Sequence, residues 1–177
     1  MQAQDLVLTP FLDLGFLFAR VLIGLLMAAH GAQKLFGWFG GHGLAGTAGF
    51  FEGLGFRPGR LFALAAGLGE FTSGLLIAVG LFGPVGPALM LAVMLVAAIS
   101  VHWRNGLFAT NNGIEMPLLY GIAAVRFALT GPGRHSLDAA LGLHWTWTPR
   151  VIWIALAAGL VGGLASLVMR RPPATTA

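Results

Sequence analysis

Apolar residues along this chain come in long runs rather than at the two-residue or 3.6-residue spacing of half-buried elements, and each run stops at glycine or arginine. Five runs approach the length of a membrane-crossing helix: residues 14–36, 61–82, 85–103, 114–130 and 151–169. Gly83-Pro84 leaves room only for a tight turn, so the second and third runs pair antiparallel. The segment from Gly37 to Gly59 is too broken by glycine to span. Its Phe50, Phe51, Leu54 and Phe56 are expected in the membrane interface or in a re-entrant element. The fourth run opens on Glu115-Met116-Pro117, a favourable acidic helix start, and Gly131-Pro132-Gly133 stops it. Ser136-Leu137-Asp138 has the form of a capped start to a brief surface helix. Trp145 and Trp147 are expected as interfacial anchors. Residues 1–13 and 172–177 are expected as tails, with the first helix starting at Thr9-Pro10.

Composition settles the solvent. Hydrophobic residues make up 57% and charged residues 9% of the 177, which excludes an ordinary water-soluble domain. The pattern predicts an all-α fold, a polytopic membrane helical bundle in contact with lipid. The net charge of +4 is spread over loops and helix ends, so nucleic acid is not an expected partner. Cysteine is absent, which excludes disulfides, thiolate chemistry, Cys-ligated metal and a lipoprotein anchor. Any redox role therefore needs a bound cofactor or a partner. The acidic N-terminal stretch lacks the features of a removable signal peptide. With five spans, Lys34, Arg57, Arg60, Arg104, Arg170 and Arg171 fall on one side of the membrane. Arg134 and Arg150 fall on the other, beside Asp5 and Asp13, and the positive-inside rule predicts N-out, C-in.

The chemistry lies in the few ionisable groups inside these runs. A charge near the bilayer centre costs roughly 2.5–3.5 kcal/mol on insertion scales, so each needs a partner, water or an interface. In the first run Arg20, Gly24, Gly31 and Lys34 fall near one helical stripe with Met27 and Ala28, and His30 sits beside it. Small residues on that stripe admit a close neighbouring helix. Gly67 and Gly74 flank Glu70 in the second run, about 14 Å from its start. Two layers follow: a candidate polar pocket of His30, Lys34, Glu70, His102 and Glu115 toward the cytoplasm, and a candidate outer polar layer of Arg20 and Arg126. Lys34 is expected to pair with Glu115 or Glu70. The bland alternative is that these groups glue a bundle together and that the arginines snorkel to head groups. His30 and His102 sit at similar depth on different runs, as axial haem ligands would, but haem is not expected from one such pair. His42, His135 and His144 are expected as solvated loop residues. No metal site, P-loop, dinucleotide fingerprint or nucleophile triad is legible.

Arg20-x3-Gly24, His30-Gly31-x2-Lys34-Leu35 and Gly49-x-Phe51-x3-Gly55 resemble the first part of the DoxX family of small bacterial membrane proteins. Glu70-x3-Gly74-Leu75-Leu76 with Gly80-Leu81 resembles its second span, and Gly131-Pro132-Gly133-x2-Ser136-Leu137-Asp138 the end of its core. The resemblance covers about residues 14–138. It implies a four-helix membrane core there, in a bacterial plasma membrane, with 150–170 as an additional transmembrane helix. Its matching polar positions are Arg20, His30, Lys34, Glu70 and Asp138. Relatives are associated with thiosulfate:quinone oxidoreductase as the membrane subunit. Others are associated with a mycobacterial complex of superoxide dismutase and a sulfurtransferase that acts against oxidative stress.

Three functions compete. The first is an accessory or scaffold subunit that holds redox enzymes at the membrane, with protein partners or further copies of itself. The second is a quinone-reactive subunit, with quinone as the cofactor candidate, because His, Lys and Glu between helices can donate hydrogen bonds and route protons. The third is a small proton-coupled transporter using Glu70, against which stands the lack of an internal repeat.

Overall fold

The computed structural model describes residues 3–171 and is an all-α membrane helical bundle. The long helices are α1 (Ala3–Phe36), α3 (Gly59–Val79), α4 (Val85–Ala97), α5 (Glu115–Thr130) and α7 (Pro149–Val168); α2 (Gly43–Gly53) and α6 (Leu137–Ala140) are shorter. The tail 172–177 and the side chain of His144 lie outside the described residues. The first helix does not begin at Thr9-Pro10. It runs from Ala3 with Pro10 inside it, where the proline removes one backbone bond while good helix formers such as Ala3, Gln4, Leu6 and Leu8 precede it.

Among the described residues four stretches are long and apolar enough to cross a membrane: Pro10–Phe36, Gly59–Val79, Val85–Asn105 and Pro149–Val168. The 16-residue α5 is about 24 Å long, short of a typical hydrocarbon core. Its ends are nevertheless tied to opposite ends of the bundle. Behind α5, Asp138 N–H donates to Gly80 O at the end of α3 (3.0 Å). Ahead of α5, the loop closes on the far side of α4 through Asn105 Nδ2 and Asn112 O (3.1 Å). Just past α7 the chain returns to the connection between α2 and α3, where Arg171 N–H donates to Gly55 O at 2.8 Å.

Lipid is as apolar as leucine, so helix association here rests on close packing and hydrogen bonds rather than on hiding apolar surface from water. The α1–α3 contact shows this. A Cβ on Gly24 would stand 2.6 Å from Ala78 N, one on Gly31 2.7 Å from Gly67 O, and one on Gly74 2.5 Å from Gly24 O. The backbones touch because those side chains are missing. Met27, Ile77, Met90, Met94, Tyr120, Ala124 and Phe127 fill the centre between α1, α3, α4 and α5. Against the outer side of α4 lies α7, with Gly159 against Ala88 O and Gly163 against Ala92 O. The glycine-broken segment folds back on α3 as α2. Phe51 and Phe56 are buried there against Ala63, while Phe50 stays exposed.

Candidate functional site: an ion pair beside a membrane cavity

The small-residue seam between α1 and α3 sets the level at which Lys34 and Glu70 meet. Lys34 lies in the last turn of α1, and Glu70 lies about 17 Å along α3 from Gly59. The lysine stem bridges the remaining turn, so that Nζ stands 2.8 Å from Oε1 and 2.6 Å from Oε2 of Glu70. Glu70 is 4% exposed, whereas the Lys34 side chain is 28% exposed. The pair thus joins a buried carboxylate to the more open end of the bundle. Ser73 Oγ donates to Glu70 O at 3.1 Å.

Of the two carboxylates expected for Lys34, Glu70 takes it and Glu115 does not. Glu115 opens α5, and its Oε2 accepts from Ala109 N–H at 2.7 Å, pinning the loop between α4 and α5. His30 lies one turn above Lys34 on the α5 side of α1. Its exposed ring packs edge-on against Tyr120, with centroids 6.0 Å apart.

Beside the ion pair is a cavity of about 330 Å3, within the range of small-molecule sites. Lys34 and Glu70 line it together with Phe51, Phe56 and Phe62, Ser100 and His102 behind α4, and Gly162 and Ser166 of α7. The end of α4 widens into a π turn over Ala98–His102, a feature common at functional sites. Within that turn Ser100 Oγ donates to Val96 O (2.6 Å), and His102 Nδ1 lies 2.8 Å from Asn112 O. Three of the five expected pocket residues, Lys34, Glu70 and His102, therefore border one cavity, and His30 and Glu115 do not. His30 packs on Tyr120, and His102 Nδ1 lies beside Asn112 O. Among the described residues no cluster of His, Asp or Glu is arranged to hold a metal ion.

The outer layer separates into two unlike arginines. Arg20 is buried, donates from Nη2 to His135 O, and fits where Gly80 has no side chain. Its Nε and Nη1 have no partner among the described residues. Arg126 is exposed and stacks over Phe16 (4.3 Å to the ring centroid) and Phe127 (5.7 Å). Asp138 is fully buried and accepts from Phe82 N–H (2.8 Å), Gly83 N–H (2.7 Å) and Trp147 Nε1–H (2.7 Å). Trp147, expected as an anchor, is thus a hydrogen-bond donor to a buried acid.

A model of the DoxX family matches residues 15–103, half of the chain. The chain belongs to the DoxX family. The DoxX match runs from within α1 through the turn behind α4, so it contains Arg20, His30, Lys34, Glu70 and His102, and α5, Asp138 and α7 lie beyond it. No curated protein and no solved structure matches this DoxX chain. Sequence reasoning missed Ser100, Ser166 and Tyr120. The only signal for Tyr120 was that it is the chain's one tyrosine, set in an apolar run.

Proposed function

We propose that the chain is the membrane subunit of a redox complex in a bacterial plasma membrane, and that it holds a quinone head group in the cavity beside Lys34 and Glu70. The observation that carries this is a partly apolar, phenylalanine-walled cavity within the bundle that has an ion pair at its edge. The donor set fits the group: Lys34 Nζ supplies hydrogens for a carbonyl oxygen, His102 adds a second polar group, and the phenyl rings suit a flat molecule. A bound quinone would supply the redox chemistry, accepting two electrons from a partner protein and two protons. Lys34 and Glu70 hold a proton between buried and open ends of the site, and the partly exposed lysine gives that proton a way to solvent.

A second reading, the scaffold, is favoured by the ion pair being satisfied on both carboxylate oxygens, as a structural pin would be. One experiment separates them. Lys34→Met combined with Glu70→Gln removes the donor and the acceptor without stranding a charge. The full chain in mild detergent is titrated with decylubiquinone. Saturable binding that falls at least tenfold in the folded double variant supports the quinone site. No binding by the unmodified chain, or equal binding by both, leaves the scaffold.

A further inference from the structure

On the side of α4 turned away from the quinone cavity lies a second, larger hollow of about 750 Å3, walled by α4 and α5. Its walls are apolar, with Leu91, Ile99, Leu118 and Ile122 among them, and Gly121 lies in its floor. A Cβ on Gly121 would meet only Leu91 Cδ1, at 3.9 Å, so the hollow exists in part because that residue has no side chain. Among the described residues the single charge on its wall is Arg126. Arg126 sits four residues before the end of α5, about 6 Å along the axis. Its guanidinium carbon lies over the Phe16 ring, 4.3 Å from the centroid, and the group has no hydrogen-bond or carboxylate partner among the described residues. The edge N–H groups are left to whatever occupies the groove.

We propose that this groove is a binding site for one phospholipid, its acyl chain against α4 and α5 and its phosphate on the Arg126 guanidinium. Charge complementarity decides the occupant. A guanidinium over a ring presents parallel N–H donors that match a phosphate, and the low dielectric of the site strengthens the pair. A second copy of the chain has less to offer. Of its described carboxylates, Glu70 and Asp138 are buried and bonded, Glu115 pins a loop, Glu52 accepts from Gly59 N–H, and Asp13 faces Arg134 at 3.7 Å. The groove also runs on past Leu129 and Thr130 into a hollow of about 510 Å3 beside Asp13 and Arg134, which gives a head group room.

Native mass spectrometry of the full chain in mild detergent, titrated with dioleoylphosphatidylglycerol and separately with dioleoylglycerol, tests this. One phosphatidylglycerol should bind at least fivefold more tightly than the phosphate-free lipid. Arg126→Gln should abolish that preference, and Gly121→Phe should remove binding of both lipids. Equal affinity for the two lipids, or an unchanged preference in Arg126→Gln, overturns the proposal. So does a dimer of the unmodified chain that Gly121→Phe converts to monomer without altering lipid binding, because a second copy would then fill the groove.

Discussion

Lys34 and Glu70 show how a charge is tolerated inside a membrane bundle. Each ion removed from water costs several kcal/mol, and the attraction between them offsets this only with good geometry, here two contacts under 3 Å. Removing one member strands the other. Lys34→Met should therefore lower stability by about 3–5 kcal/mol, and Lys34→Met with Glu70→Gln should recover most of that loss in thermal unfolding in detergent. A double variant no more stable than the single one would show that the pair contributes nothing. Sequence made this pair legible because both residues border small-residue stripes, and the spacing of glycines set their faces. It could not choose between Glu70 and Glu115, since that depends on a loop in which Ala109 N–H captures the second carboxylate.

Helices here are specified by what is missing from their surfaces. The Gly24, Gly31 and Gly74 contacts place α1 backbone against α3 backbone, so an added methyl meets main chain that cannot give way. Gly31→Ala should cost at least the 1–3 kcal/mol typical of overpacking and lower the thermal midpoint in detergent. Gly15→Ala, on the same helix with nothing within 4 Å, should leave it unchanged or slightly raised. Equal effects at the two positions would mean that helix propensity, not contact, governs them. This seam was readable from sequence. The π turn at Ala98–His102 was not: its residues continue an apolar helical run, and nothing local marks the extra residue that turns Ser100 and His102 toward the cavity.

At the scale of the whole molecule the apolar runs determine the number of spans, and the loops determine which ends meet. α5 illustrates the limit of run length as a guide, because at about 24 Å it reaches across only with its flanking loops. The fold-back of α2 was half legible: glycine excluded a span, but the burial of Phe51 and Phe56 depends on α3 and α7 arriving beside them. The proposed N-out, C-in orientation predicts cytoplasmic activity for a reporter fused after Arg171 and periplasmic activity for one fused after Asp138. A periplasmic signal at both positions would mean that α7 does not cross.

Asp138 has a consequence for how the chain is made. The amides of Phe82 and Gly83, both at positive φ, form a small anion-binding turn that Asp138 fills from 55–56 residues downstream. At about 5–20 residues per second, the ribosome needs roughly 3–11 s to deliver that carboxylate after the turn has been synthesised. Throughout that interval the turn's donors have no acceptor from Asp138, so the nascent hairpin stays unfinished even after both its helices have been made. Chains released after residue 103 should be cleared rapidly by membrane proteases, and chains released after residue 171 should persist, as pulse–chase labelling would show. Asp138→Asn in the full chain should shorten the half-life toward that of the fragment, and an unchanged half-life would mean that the hairpin closes without its downstream acid.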